Sequence, residues 1–160
     1  MTRNDMQSVA RRHVAAENAG DLAGAVATYH QECFYETVAL GLRFTGKDGV
    51  AMQYASLFAA MPDAEVAIEG EACGDNVLVH WGTFRGTVTG ELFGLPPTGR
   101  RVALPFVALL PFKDGLMEGE RLFYDLATLC DQAGLSLAAV RAVADTLRTT
   151  VADAAHSVAG

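Results

Sequence analysis

The stretch "VALPFVALLPF", residues 102–112, is apolar at every position. Successive side chains of a strand point to opposite faces, so a strand of this composition needs cover on both. Helices of the same chain can roof one face. The other face must meet another layer, and the usual solution is a second subunit. Such a strand therefore predicts helices on one side of a sheet and a homodimer on the other. Pro105 and Pro111 share a parity, so their missing N–H donors fall on one side of the strand. "KDG" follows at 113–115, and suits either a two-residue turn or a three-residue turn with a bulge at Gly115. The two turns reverse which face the next strand's residues occupy, so that face stays open at this level.

Upstream, the periodicity changes. Met6, Val9, Ala10, His13, Ala16 and Glu17 recur at three- and four-residue steps, which predicts a helix capped by Asn4 or Asp5 and running to about Asn18. Asp21 can cap a short second helix over "LAGAVATYH". "ECFYETVAL" reads as a strand. "GKDGVAMQYASLFAAMPD" reads as a third helix, capped by Asp48, stopped before Pro62, with Val50, Tyr54, Leu57, Phe58 and Met61 as its stripe. "AEVAIEGEAC" alternates Val66 and Ile68 against Glu65 and Glu69, predicting one wet face. "GDN" turns it into "NVLVHWGTFRGTVT". The Gly- and Pro-rich "GELFGLPPTGR" leads to the apolar strand, and "LMEGERLFYD" follows the "KDG" turn. Three helices followed by an antiparallel meander is an α+β arrangement.

Composition narrows the partners. The 160 residues suffice for one domain with a sizeable core, and 51% hydrophobic against 19% charged residues is a folded composition. A net charge of −7 without a long basic run argues against nucleic acid and an anionic membrane surface. No segment approaches the roughly 20 apolar residues of a membrane span, and "MTRNDMQSVARRHV" has no signal-peptide-like apolar stretch. Cys33, Cys73 and Cys130 are scattered, with no metal-ligand spacing; they point to reduced thiols and a cytoplasmic location.

"RLFYDL" (121–126) holds the chemistry-bearing residues. Strand parity sets Arg121, Phe123 and Asp125 on one face and Glu120, Leu122 and Tyr124 on the other. A carboxylate at the end of a pocket can take a proton from the carbon beside a carbonyl. Asp125 also opens "DLATLCDQ", where Asp is a favoured helix N-cap. Arg121 can pair with Asp125 or bind a substrate oxygen. His13 lies on an apolar helical stripe, with Glu17 one turn on. Tyr35 and Thr37 share a strand face. His80 and Trp81 point to opposite faces of theirs.

The phrases "TGELFGLPPTGRRV", "FKDG" and "ERLFYDLATLCDQAGL" resemble the SnoaL-like polyketide (ester) cyclases of the nuclear transport factor 2-like superfamily. "VARRHVAAENAGDLAGAVATYH" resembles the first two helices of that superfamily. The likeness spans about residues 5–135. It implies a cone of N-terminal helices packed on a strongly bent, mainly antiparallel sheet that encloses a pocket. It also implies intramolecular aldol chemistry on an aromatic or polycyclic carbonyl compound, with no metal and no organic cofactor. By the matching phrase the family's acid/base aspartate falls on Asp125, with Arg121 and His13 polarising oxygens. Tyr35, Thr37, Tyr54, Trp81 and Phe123 are the expected substrate-binding residues. His13 and Thr37 stand where ketosteroid isomerase carries a tyrosine and an aspartate, which argues against steroid isomerase chemistry. Two alternatives remain: an epoxide-hydrolase or isomerase-type enzyme on the same cone, and a non-catalytic module binding a small hydrophobic ligand.

The tail lies beyond the likeness. Leu137, Val140, Ala144, Leu147, Val151 and Ala154 keep helical spacing, predicting one amphipathic helix from about Leu137 to Ala155. The chain thus divides into an α+β cone domain, residues 1–135, and a C-terminal helical extension, residues 136–160.

Overall fold

The fold is that of a computed structural model that describes residues 1–158, with side chains described through Thr149. In chain order the elements are α1 (Arg3–Asn18), α2 (Leu22–Ala27), β1 (Tyr29–Thr37), a 3-10 turn (Val38–Leu40), β2 (Leu42–Thr45), α3 (Gly46–Ala60), β3 (Glu65–Gly74), β4 (Val77–Thr87), β5 (Arg101–Lys113), β6 (Leu116–Tyr124), α4 (Leu126–Ala133) and α5 (Leu137–Val158). The three early helices, the strand meander β3 to β6 and the tail helix all appear where the periodicity places them. Val151 and Ala154 of the tail stripe lie outside the described side chains.

Several boundaries differ from expectation. Thr2, not Asn4 or Asp5, caps α1: its hydroxyl accepts the Asp5 N–H, and the Asp5 carboxylate accepts the Thr2 N–H at 3.1 Å. Asp5 is thus the reciprocal partner of a capping box. Thr45 stands at the N-cap of α3, and Asp48 sits in the first turn, where the helix dipole favours an acid. Asp21 does cap α2, accepting from the Gly24 N–H at 2.9 Å. That helix stops at Ala27, so Tyr29 begins β1 rather than ending a helix. Gly41, at φ 62, reverses the chain after the 3-10 turn and opens β2, a short strand the sequence pattern did not separate from its neighbours. On β3, Val66 is half-buried but Ile68 is exposed, because β3 is an edge strand.

The six strands form one sheet in the order β2-β1-β6-β5-β4-β3. The β1–β6 pair is parallel and the others are antiparallel. β5 has a neighbour on each side. Its even residues, Val102 through Phe112, are buried inward, while Ala103, Pro105 and Val107 face out.

A two-residue turn, Asp114–Gly115, joins β5 to β6 with both residues at positive φ; such turns match the twist of the hairpin they close. Lys113 faces Leu116 and Phe112 faces Met117. Then the register slips. From Phe112 back to Leu109 is three steps on β5, while their partners Met117 and Arg121 are four apart on β6. The extra residue is a β-bulge, and it exchanges the two faces of everything beyond it. Past the bulge, Leu122 faces the inward Ala108 and Tyr124 the inward Phe106. Gly119 sits in the bulged stretch, and a Cβ there would meet the Phe34 ring at 2.4 Å.

Two cores result. Met6, Val9, Tyr29, Val50, Tyr54 and Met117 belong to one, under α1 and α3. Leu40, Leu42, Val102, Leu129 and Val140 belong to the other, under α4 and α5. Among the described residues no helix is long and apolar enough to cross a membrane.

The outer sheet face carries an apolar row. Trp81, Val107 and Phe123 are register partners across β4, β5 and β6, each 37–41% exposed. We propose that a second copy of the chain covers this row. Sedimentation at micromolar concentration is expected to give the mass of a dimer, and Val107→Glu the mass of a monomer with little change in melting temperature. A wild-type monomer overturns the proposal.

Candidate functional site

A cavity of about 780 Å³ lies where the two cores meet, within the roughly 300–1,000 Å³ usual for small-molecule sites. Its walls are mostly apolar, with Phe44, Leu104, Phe106 and Leu122 among them. Glu17, Tyr35, Thr37 and Glu120 bring polar atoms to it. Among the described residues no set of three His, Cys, Asp or Glu side chains is placed to hold a metal ion.

Glu120 is the central polar group. The bulge turns it inward, and it is buried. Its Oε2 accepts hydrogen bonds from the Tyr54 hydroxyl at 2.8 Å and the Tyr29 hydroxyl at 3.0 Å. His13, on the buried stripe of α1, stands behind them. Its Nε2 is 2.9 Å from the Tyr54 hydroxyl, 3.5 Å from Glu17 and 3.7 Å from Glu120. Its Nδ1 is 2.9 Å from the Thr28 hydroxyl.

Hydrogen bonds engage both nitrogens of that imidazole. Thr28 donates its only hydroxyl proton to the Ala25 carbonyl at 2.6 Å, so Nδ1–H must donate to Thr28. Tyr54 lies within hydrogen-bond reach of Nε2, of Glu120 and, at 3.1 Å, of the Tyr29 hydroxyl. An imidazolium donating from both nitrogens is the state that the raised pKa of His13 favours. Burial alone would push its pKa down, but the charges of Glu17 and Glu120 outweigh burial and raise it. Burial likewise opposes ionisation of Glu120, yet His13 and the two tyrosines hold its carboxyl below the usual range. Glu17 goes the other way. Burial first, and then the Glu120 charge, push it up to about 7 against the pull of His13. Burial and the same carboxylates push the phenols of Tyr29 and Tyr54 well above their usual value. Near neutral pH the buried network therefore holds one ionised carboxylate, Glu120, and one that still carries much of its proton, Glu17.

The residues expected from sequence divide accordingly. Tyr35 and Thr37 line the cavity. Tyr54 is buried, and its hydroxyl joins the Glu120 network. His13 lies in that network, behind the cavity wall. Asp125, Arg121 and Phe123 face outward: beyond the bulge it is Glu120, Leu122 and Tyr124 that turn in. Asp125 caps α4, accepting the Thr128 N–H at 2.5 Å. That bond lowers its pKa, away from neutrality. Arg121 pairs with Glu36 rather than Asp125, at 2.8 and 3.3 Å. Trp81 also faces outward, over Gly70, where an added Cβ would meet its ring at 2.2 Å. His80 faces inward but is engaged 3.6 Å from Glu71. Sequence reasoning missed Glu120 and Tyr29 and gave Glu17 only a pairing role. The available signal was Gly119 beside Glu120, since a glycine inside a strand pattern marks a bulge.

Asp125→Asn is expected to leave melting temperature unchanged, because Asn also caps well. Asp125→Ala should lower it by roughly 2–4 °C. Neither should alter ligand binding in the cavity; calorimetry checks both. Glu17 gives a pH signature. Its folded pKa is raised from 4.5 to about 7, so its stabilising contribution is complete below pH 4.5 and is lost as pH rises through about 7. Relative to Glu17→Gln, the wild type should lose up to ~3 kcal/mol across that window. Urea unfolding between pH 4.5 and 8 measures it, and parallel curves for the two proteins would show that Glu17 titrates normally.

Three solved structures share this architecture. A proposed SnoaL-like polyketide cyclase from a Jannaschia species superposes with a TM-score of 0.75 at 20% identity, over 81% of this chain and 92% of that one. TsrD from Streptomyces laurentii gives 0.74 at 23% identity, over 85% and 99%. A Catenulispora acidiphila protein with a ketosteroid isomerase-like fold, in complex with trimethylamine, gives 0.70 at 19% identity, over 81% and 94%. These likenesses establish the fold. No curated protein shows a significant sequence match. Residues 7–133 match the model of the SnoaL-like polyketide cyclases, so the chain belongs to the SnoaL-like polyketide cyclase family.

Proposed function

We propose that this protein is an acid/base enzyme that closes a carbon–carbon bond within an aromatic or polycyclic carbonyl compound. The observation that carries the reading is the pair of cavity carboxylates whose surroundings drive them to opposite protonation states. Such divergence marks an acid and a base. Family membership supports the reaction class, and the apolar walls suit a ring system.

In this reading Glu120 takes the proton from the carbon beside a carbonyl. The resulting carbanion attacks a second carbonyl of the same molecule, and the new carbon–carbon bond forms. The alkoxide oxygen left by that attack takes the proton of Glu17. Proton exchange between Glu120 and Glu17, through solvent or bound product, resets the pair. His13, Tyr29 and Tyr54 are positioning residues: they hold Glu120 ionised in a dry site, where an isolated carboxylate would be neutral. Tyr35 and Thr37 contact the substrate. The reading moves the acid/base role from Asp125 to Glu120. No arginine is among the cavity's lining residues, which weighs against an epoxide hydrolase built on carboxylates flanking an arginine. The free thiols Cys33, Cys73 and Cys130 fit a reducing compartment such as the cytoplasm.

Turnover of a panel of aromatic polyketide substrates tests the reading. Glu120→Gln should reduce kcat at least about a hundredfold, the low end of what a general base contributes. It also leaves His13 facing one carboxylate fewer, and breaking a buried pair costs about 3–5 kcal/mol, so folding is checked by melting. Glu17→Gln, which removes no charge from the protonated state, should lower kcat and abolish a pH–rate inflection near 7. Full turnover in both folded variants overturns the assignment; retained binding without turnover in the wild type identifies a binding module instead.

A further inference from the structure

We infer that α5 is the specificity-determining wall of the cavity, with Val143 and Leu147 setting the size of the ring system admitted. The inference rests on the cavity's being the ligand site. α5 lies wholly beyond the residues that match the family, yet Val143 and Leu147 line the cavity. Their helical position explains how. Val140 and Ala144 are buried in the core beside α4, which anchors one face of α5. Val143 and Leu147 repeat at the same four-residue step, displaced along the helix by three residues, so they form an adjoining stripe.

A polar latch adds to the anchor. The Arg148 guanidinium donates to the Leu40 carbonyl and pairs with Asp145. It lies against Gly41, where a Cβ would meet its Nη1 at 3.3 Å. The 3-10 turn it grips ends at Leu40, itself a cavity residue. The helix is thus seated on the wall it completes.

Exposure locates α5 at the mouth. Among the lining residues Glu120 is buried, whereas Leu147 is 42% and Met52 56% exposed. Met52 and Ser56 of α3 share this exposed rim with Leu147. Among the described residues α5 brings no acid or base to the lining, so the stripe of Val143 and Leu147 acts on the distal part of a ligand by shape. A methylene-sized change in an apolar pocket is worth about 10- to 200-fold in discrimination.

Graded aromatic methyl ketones test this: acetophenone, 2-acetylnaphthalene and 2-acetylanthracene, with Kd measured by calorimetry on the full chain. Leu147→Trp should weaken 2-acetylanthracene at least about tenfold and leave acetophenone nearly unchanged. Val143→Ala should tighten the three-ring ketone relative to acetophenone. Ser56→Trp, on α3 and also exposed at the lining, is the control for the cavity itself. If Ser56→Trp weakens binding and the α5 variants do not alter the size dependence, the inference about α5 is overturned and the cavity stands. If neither tryptophan affects binding, or the wild type binds none of the three, the cavity reading falls and the inference with it.

Discussion

One extra residue in β6 decides which of its side chains reach the cavity. Side chains alternate along a strand, so a slip of one position sends each residue beyond it to the other face. Without the bulge, continuing the register of Phe112 and Met117 would set Arg121, Phe123 and Asp125 against inward residues of β5. With it, Glu120, Leu122 and Tyr124 go inside. The carboxylate that enters the cavity is therefore Glu120, and Asp125 is left to cap a helix. Bulges are common beside active sites, where they re-aim side chains.

Glu120 stays ionised in the interior because the fold brings it compensation from three elements. Tyr29 comes from β1, Tyr54 from α3 and His13 from α1. An ion buried without partners would be neutralised by its own desolvation. Here the imidazolium supplies charge and the phenols supply hydrogen bonds. Among the described residues no buried side-chain nitrogen or oxygen lacks a partner. Glu17 sees the same imidazolium but also the charge of Glu120, and its side chain is only 12% exposed. Two carboxylates sharing one cation in a low dielectric cannot both ionise freely, so their pKa values separate. The structural demand of satisfying a buried charge thus sets two carboxylates of divergent pKa around one imidazole.

The cavity has a comparable origin. It lies between the two cores, and members of both line it. α3 bounds it on one side and the tail helix on another, so a segment outside the family's shared fold becomes part of the site.

Much of the architecture was legible in the sequence because it follows from short-range rules. Helical spacing identified the α1 stripe through His13 and Ala16. Asp21 marked the start of α2, and the apolar run at 102–112 read as a strand. Of the expected pocket residues, Tyr35 and Thr37 line the cavity and Tyr54 joins the buried network beside it. The family likeness supplied the bent sheet and the pocket. The placement of Glu120 was different in kind. Its face depended on a turn and a bulge whose alternatives fit the same residues, and the choice is made by pairing β6 to both β5 and β1 and by the fit of Gly119 against Phe34. The buried network likewise joins residues 13, 17, 29, 54 and 120, drawn from four elements. Periodicity along one chain determined which elements exist; only the packing of those elements decided which carboxylates are buried beside one imidazole, because desolvation and charge act through space.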